Sequence, residues 1–414
     1  MVAQVPPTFF GMQMGKGIPV GEPWPVASFA TTRLWDSGTA WALINYAPGK
    51  YDWTVFDAWL NEAQTHNLDV VYCFGRVPQW ASSNPNNKKC AAGGGPGQCS
   101  PPNDLNADGT GTNQHFKDFV TAIVKRSNGR IHYWETWDEA PNPMRWSGTL
   151  NQMLRIAQDL RTTVLSIDKT AVILSPSGGI RYPTDTQWFQ NYYKAGGGNF
   201  ADVITYHGYI DKSGQHPDPE QMIVFLNQKN GFEQTLKTYG QSAKPQWDTE
   251  GSWGIATCCA FTDPNLQSGF VPRFVLAHAY MNTNRFYWYQ WDSNAGRLWT
   301  ASGNFTGKGT LAKAGIAYQQ IYKWLVGNTI STACTGPLPP KLGVWTCGIT
   351  GPNNFQGQIV WDTSQTCSPC TTSPYTFNSI YIQYVDVFGN VTSTSGMQTV
   401  PIGYQPIFLQ NQNE

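Results

Sequence analysis

The chain has 414 residues, with 27 acidic and 27 basic side chains, so its formal net charge is zero. A neutral chain has no basic footprint for nucleic acid or for an anionic membrane surface. It also has no run of about 18 apolar residues, which argues against a transmembrane helix. Its length allows one large domain, or one large and one small domain.

Aromatic residues are unusually frequent for such a weakly charged chain. They make up 14% of the residues, with 18 Trp, whereas charged residues make up 13%, about half the usual share. A large aromatic core is one explanation. We favour a second, in which some of the rings line a cleft for a neutral ligand, because binding sites are concave and aromatic. Sugars fit that description, since their apolar faces stack on Trp and Tyr.

Eight of the nine cysteines lie in turn-rich surroundings, which favours an oxidising compartment and hence a secreted protein, extracellular or periplasmic. Cys73 lies in the apolar run LDVVYCFG and is expected to be a buried free thiol. Cys258 and Cys259 either bridge each other or pair elsewhere. The other six form local pairs, expected to be disulfides: Cys90–Cys99, Cys334–Cys347 and Cys367–Cys370. Half a zinc site is the alternative for the last pair, but no second CxxC or nearby His completes it.

Short apolar runs alternate with longer amphipathic runs over residues 8–326. The apolar runs predict eight strands, at 9–14, 31–36, 68–75, 131–138, 171–177, 202–209, 245–250 and 285–291. Amphipathic spacing predicts helices at 53–67, 113–128, 149–167, 185–195, 219–238, 268–283 and 311–327. The segment 81–112 is too long for an ordinary connection and is expected to be a functional loop.

This alternation predicts an α/β fold, a (β/α)8 TIM barrel over residues 1–327. An open doubly wound sheet is the alternative, but FGMQMGKG after the first strand lacks the spacing of a phosphate-binding loop. From 328 to 414 the chain alternates apolar and polar residues between Gly-, Pro- and Thr-rich turns. This pattern predicts a smaller C-terminal antiparallel β-sandwich domain packed on the barrel.

Two glutamates end predicted barrel strands inside aromatic runs. Glu139 follows the fourth strand in YWETWDEAPNP, and Glu250 ends the seventh in WDTEGSW. Active sites of this barrel lie at the C-terminal ends of the strands. A pair of carboxyl groups flanking a bond is what glycoside hydrolysis requires, one as acid and one as nucleophile or base. We therefore predict Glu139 and Glu250 to be catalytic.

Further polar and aromatic residues follow the strands at the same end. The predicted sugar-binding residues are Arg33, Trp35, Asp36, Arg76, Trp80, Asp138, His207, Tyr209, Trp288 and Trp291. For His207 alone, a hydrogen-bonded core histidine is an equally good interpretation. Trp288 or Trp291, taken singly, fits core packing better, so both count only as members of the set.

The same residues carry a family resemblance. WETWDEAPNP resembles the strand-four W-N-E-P motif of the clan A retaining glycoside hydrolases, and WDTEGSW resembles their strand-seven nucleophile motif. RLWDSGTAW, FGRVPQWAS and YWYQWD resemble runs in glycoside hydrolase family 39. The resemblance covers the barrel in order, and the C-terminal β domain is similar to the one that accompanies such barrels. It is specific for the clan and not for the substrate.

The resemblance implies a role for each matching residue. Glu139 matches the acid/base and Glu250 the nucleophile. His207 and Tyr209 match strand-six residues that contact the sugar or the nucleophile. Arg33 matches an arginine near the nucleophile. Trp291 matches the aromatic residue that forms the floor of the −1 subsite.

One residue departs from the motif. The clan usually has Asn before the acid/base, where this chain has Asp138, and Ala140 replaces the usual Pro. That Asn typically donates to the sugar 2-hydroxyl, whereas an ionised Asp only accepts. Asp138 is expected to raise the pKa of Glu139 and either to accept from the sugar or to pair with an arginine. The sequence therefore does not predict which sugar binds in the −1 subsite.

These features predict a retaining glycoside hydrolase that uses neither a metal nor an organic cofactor. In such an enzyme the two carboxyl groups lie about 5–5.5 Å apart. Its expected partner is a poly- or oligosaccharide, and a monomer is expected. Two alternatives remain open: a transglycosylase, and a catalytically silent carbohydrate-binding protein on the same scaffold.

Overall fold

The structure is a computed structural model. It describes residues 4–412 except 16, 18, 20, 211–216, 255–260, 293–297 and 301–309. Cys258 and Cys259 lie outside the described residues.

Eight parallel strands form the barrel. They are β1 Phe10–Met12, β2 Thr31–Leu34, β3 Asp69–Cys73, β4 Tyr133–Glu135, β5 Val172–Leu174, β6 Ile204–His207, β7 Gln246–Gly251 and β8 Arg285–Trp288. The strands are hydrogen-bonded in the order β5-β4-β3-β2-β1-β8-β7-β6. Single parallel bridges, Leu174–Val203 and Gly179–His207, link the two ends of this order. The eight-stranded parallel barrel predicted from the alternation is therefore confirmed, nearly closed, with β5 and β6 at the loosest seam.

Nine helices accompany the strands among the described residues. They are α1 Trp41–Ile44, α2 Thr54–Thr65, α3 Gln114–Ser127, α4 Leu150–Ile167, α5 Pro183–Lys194, α6 Gln221–Asn227, α7 Phe232–Thr238, α8 Pro264–Tyr280 and α9 Lys313–Leu325. α3 buries one apolar side, with Phe116, Phe119 and Ile123, whereas α8 is buried on nearly all sides. The prediction of one helix over 219–238 is wrong. α6 ends where Gln228 is extended, with ψ 156°, and Asn230, left-handed with φ 61°, lies in the turn that separates α6 from α7.

A short antiparallel pair, β9 Trp299–Thr300 and β10 Thr310–Leu311, precedes α9. The C-terminal region then forms antiparallel strands: β11 Thr329–Thr335, β12 Val344–Thr350, β13 Gln356–Asp362, β14 Thr372–Thr376, β15 Gln383–Val385, β16 Val391–Ser393, β17 Thr399–Gly403 and β18 Ile407–Gln410. One sheet has the order β11-β12-β13-β18-β15-β16, and β14 pairs with β17 in a second. Val360, Ile402 and Leu409 belong to one buried cluster that joins the two sheets.

Buried polar contacts join this region to the barrel. Arg273 of α8 is fully buried and donates to Glu220 at 2.9 and 2.6 Å. Trp361 of β13 donates to the same carboxylate at 2.9 Å. The guanidinium also lies 4.3 Å from the ring centroid of Tyr404. Side chains from the barrel and from the C-terminal region therefore contact the same buried group of charges.

The cysteines follow the prediction where the structure describes them. Disulfides join Cys90–Cys99, Cys334–Cys347 and Cys367–Cys370, and Cys73 is a buried free thiol. The zinc alternative for the last pair is thereby excluded. No helix among the described residues combines the length and apolar character needed to cross a membrane.

Candidate active site

The acidic residues that follow β4 are held by backbone contacts to both neighbouring strand ends. The Asp138 N–H donates to the Phe74 carbonyl, and the Ala140 N–H donates to the Ser177 carbonyl. Between them Glu139 has φ 42°, a left-handed conformation uncommon for a residue other than glycine. Such conformations cluster at functional sites because the surroundings must hold them in place. The turn places Asp138 and Glu139 at the C-terminal end of the barrel.

Arg33 of β2 lies at the bottom of the site, fully buried among three carboxylates. Its Nε donates to Glu135 at 2.5 Å, its Nη2 to Asp138 at 2.9 Å and its Nη1 to Glu250 at 3.1 Å. Burial alone would lower the pKa of Arg33, but Cys73 and the three carboxylates raise it well above its ordinary value. Arg33 is therefore a permanent cation that holds the ends of β4 and β7 together.

Glu250 lies in β7 and is 7% exposed. Its Oε1 accepts a hydrogen bond from the Tyr209 hydroxyl at 2.8 Å, and its Oε2 accepts the one from Arg33. Burial raises the pKa of Glu250 to about 7, assisted by the negative charge of Asp138 and opposed by His207 and Arg33. The carboxyl group is oriented at both oxygens and titrates near neutral pH.

Glu139 is the more open of the two, with 23% of its side chain exposed. His207 Nδ1 lies 3.3 Å from its Oε1, and the Asn142 amide donates to its Oε2 at 3.1 Å. Burial raises the pKa of Glu139, but His207, Arg145 and Asn142 outweigh it and lower the pKa to about 2. The sequence led us to expect a raised pKa here, and that expectation is wrong for the free site because a cationic imidazole faces the carboxylate.

His207 ends β6 and is 1% exposed. Burial would lower its pKa, but Glu250 and the hydrogen bond to Glu139 raise it to about 9. His207 therefore carries a proton at neutral pH and shares it with Glu139. His207 is thus buried and hydrogen-bonded, and the partner of this hydrogen bond is the predicted acid/base.

Asp138 pairs with an arginine, one of the two possibilities left open by the sequence. Its Oδ1 accepts from Arg33, and its Oδ2 lies 3.6 Å from Arg145 Nε. Burial raises the pKa of Asp138, and the two arginines oppose that rise. The residue is 1% exposed, so it lies beneath the surface of the opening.

Of the predicted residues of strands two and three, Trp35, Asp36 and Arg76 lie together, whereas Trp80 has other neighbours. Arg76 has φ 57°, its Nη2 donates to Asp36 at 2.5 Å, and its guanidinium lies 4.8 Å from the Trp35 ring centroid. Trp35 itself is buried, and a Cβ at Gly75 would come within 2.6 Å of its ring. This close approach requires glycine after β3. Trp80 is half-buried and donates to the Asn45 carbonyl at 2.9 Å.

The strand-eight tryptophans lie deeper. Trp288 is fully buried and packs edge-on against Trp253 and Phe274, with centroids 4.9 and 5.3 Å away. It therefore belongs to the core and has no surface for a sugar. Trp291 is 5% exposed, and its backbone N–H donates to the carbonyl of Gln13, the residue after β1.

The structure adds site residues that the sequence reasoning missed. Glu135 is fully buried and accepts from Thr249 as well as from Arg33. Tyr289 donates to Asp36 at 2.8 Å. Arg145 Nε lies 3.6 Å from Glu139 Oε2. Glu135 could have been recognised from the sequence, because it is a carboxylate inside an apolar strand. Arg145 could not, because it lies in a loop whose neighbouring residues show no pattern.

Among the described residues, one group of side chains brings metal-binding atoms together. Asp138, His207 and Glu250 are all buried and offer ligand atoms that lie within 4.8 Å of one another.

Solved structures share this fold at low sequence identity. A family 39 glycoside hydrolase from Bacteroides cellulosilyticus WH2 superposes with a TM-score of 0.64 at 14% identity, over 98% of this chain and 80% of that one. A GH30 endoxylanase from Clostridium papyrosolvens C71 gives 0.60 at 12% identity, over 100% and 97%. A GH51 arabinofuranosidase from Xanthomonas axonopodis pv. citri gives 0.60 at 11% identity, over 99% and 97%. The sequence matches no protein-family model and no curated protein.

These comparisons define the class of fold. The structural neighbours are clan A glycoside hydrolases, so the resemblance stated from the sequence holds at the level of the fold. Because the identities are so low, the likeness establishes the architecture alone.

Proposed function

We propose that this chain is a retaining glycoside hydrolase that cleaves O-glycosidic bonds of a poly- or oligosaccharide. The observation that carries the proposal is a pair of glutamates at the ends of β4 and β7, each held by its own donors. His207 and Asn142 hold Glu139, while Arg33 and Tyr209 hold Glu250.

The chemistry follows from two carboxyl groups on opposite sides of one bond. Glu250, as the carboxylate, attacks the anomeric carbon, while Glu139 passes a proton to the departing oxygen. The covalent glycosyl-enzyme is then opened by water, from which Glu139 removes a proton. Two displacements at the same carbon retain its configuration. The donors of Arg33 and Tyr209 keep the attacking carboxylate oriented.

The proton for the leaving group is held by the His207–Glu139 pair. In the free site it lies on His207, whose pKa is raised to about 9 by Glu250 and Glu139 against the effect of burial. A bound sugar removes water from the partly exposed Glu139 and raises its pKa, which moves the shared proton toward the leaving oxygen. Activity therefore needs Glu250 ionised and the pair protonated, so kcat/KM falls below about pH 7 and above about pH 9.

Screening and trapping test the proposal together. Wild type is assayed on a panel of polysaccharides and aryl glycosides beside Glu139→Gln and Glu250→Gln, with products sized by mass spectrometry. A 2-fluoro glycoside of the active sugar is then used to trap the intermediate, and the labelled peptide is sequenced. The expected result is release by wild type alone, with the label on Glu250.

Other outcomes each remove part of the proposal. A label on Glu139 would make Glu139 the nucleophile and Glu250 the acid/base. The pKa values of the free site favour this assignment of roles. Glycan binding without release by wild type would identify a silent binding protein. Transfer of the sugar to added acceptors, instead of water, would identify a transglycosylase. Inverted products would refute the covalent intermediate.

We further propose that the protein is secreted and that the C-terminal region from 328 is a domain that works as part of the same unit. Disulfides support an oxidising compartment. The charge cluster of Arg273 and Glu220, shared with Trp361, supports the second point.

A further inference from the structure

Three buried side chains at the base of the site have the chemistry of a metal-binding group. Asp138, His207 and Glu250 place their ligand atoms within 4.8 Å of one another. One imidazole nitrogen with two carboxylates is a donor set that suits Zn²⁺ and related divalent ions, and three protein ligands leave a position open.

One ring nitrogen of this group lacks a partner among the described residues. His207 Nε2 is buried and has no hydrogen bond there, whereas Asp138 Oδ2, also without a hydrogen bond, lies 3.6 Å from Arg145 Nε. Buried polar atoms are nearly always satisfied, so the orphaned imidazole nitrogen points to a missing group. His207 Nδ1 faces Glu139 Oε1 at 3.3 Å. A metal-binding histidine usually donates its other ring N–H to a carboxylate in this way, which leaves the far nitrogen free to ligate.

The formal charges leave room for a dication. With His207 neutral, four carboxylates face two guanidiniums, an excess of two negative charges: Glu135, Asp138, Glu139 and Glu250 against Arg33 and Arg145. Buried charges are retained only when they are paired or coordinate a metal. A divalent ion balances this set, and it takes the place of the proton on His207 because only neutral imidazole ligates.

We propose that Asp138, His207 and Glu250 bind a divalent transition-metal ion, with Zn²⁺ as the representative, and that the ion excludes the sugar. The bound ion coordinates the Glu250 carboxylate, which then cannot attack the sugar. Asp138 is the deciding residue, because carboxylate oxygen is a far better ligand than the amide of asparagine. The inhibitory consequence rests on the proposed glycosidase function, whereas metal binding itself does not.

The test is metal binding to the purified full chain without substrate. Zn²⁺ is titrated by isothermal calorimetry, and Co²⁺ is titrated by visible absorption, which reports the ligand field. Asp138→Asn and His207→Gln remove one ligand each, and circular dichroism checks that both variants fold. His66→Gln is the matched control, since His66 lies 3.5 Å from Glu62 in an exposed pair. We expect one ion per chain, affinity at least tenfold weaker in both ligand variants, and no change in the control.

Two results would overturn the proposal: no saturable binding by wild type, or equal affinity in wild type, Asp138→Asn and His207→Gln. Loss of binding in His66→Gln alone would assign the ion to the surface and would refute the site as well. Where wild type cleaves a glycoside, Zn²⁺ should raise KM and leave kcat unchanged. Where it cleaves none, the calorimetry still decides the metal site, so the two proposals fail separately.

Discussion

The Tyr209→Phe substitution removes one hydroxyl and leaves the rest of the site in place. That hydroxyl donates to Glu250 Oε1 at 2.8 Å in a buried setting. A hydrogen bond to a charged group contributes about 1.5–3 kcal/mol, and one pKa unit corresponds to about 1.4 kcal/mol. Since the bond favours the ionised carboxylate, its loss should raise the pKa of Glu250 by about 1–2 units from its value of about 7.

At pH 7 the ionised fraction of Glu250 would then fall from about one half to between about a tenth and a hundredth. The measurement is kcat/KM against pH on the first glycoside that wild type cleaves. The acidic limb should move up by about 1–2 pH units, and kcat/KM at pH 7 should fall about 5- to 50-fold.

Tyr289→Phe is the matched control, because the Tyr289 hydroxyl donates to Asp36 at 2.8 Å. The acidic limb of the Tyr289→Phe pH profile should therefore coincide with that of wild type. A Tyr209→Phe profile that drops uniformly, with its acidic limb in place, would refute the reasoning and show that Tyr209 does not set the pKa of Glu250.

Three further predictions concern charge and stability. Arg33→Met strands buried carboxylates and should lower the free energy of unfolding in urea by about 3–5 kcal/mol, whereas Arg126→Met, which breaks an exposed pair, should cost under about 1 kcal/mol; equal losses would contradict the burial argument. His207→Gln removes the group that holds the shared proton, so the basic limb near pH 9 should move to lower pH, and an unmoved limb would show that another group supplies the proton. Trp361→Phe removes a hydrogen bond to the buried carboxylate of Glu220 and should lower unfolding stability by about 1.5–3 kcal/mol; unchanged stability would mean that this contact does not hold the C-terminal region to the barrel.

The architecture was predictable because local patterns express it. Short apolar runs separated by amphipathic helices allow few packings other than a parallel barrel, and the alternation after 328 is that of antiparallel strands. The error over 219–238 arose where a turn, with Gln228 extended and Asn230 left-handed, interrupts an otherwise continuous helical pattern.

The two glutamates were predictable from position alone, since parallel strands bring their C-terminal ends together whatever the loops do. The resemblance placed Arg33 near Glu250, but its contacts with Glu135 and Asp138 were not predictable, because they depend on the register of β2 against β3. The side chains of Glu135 and Arg145 reach the site from a strand interior and from a loop, so no spacing rule marks them.

The sequence by itself determined the strands, the helices and the end of the barrel at which polar groups collect, because these follow from periodicity and chain direction. Only the tertiary structure decided where the protons lie. Burial raises the pKa of Glu250, whereas His207, Arg145 and Asn142 outweigh burial and lower the pKa of Glu139. Such interactions depend on distances of a few ångströms and on burial, and neither quantity is written in the order of the residues.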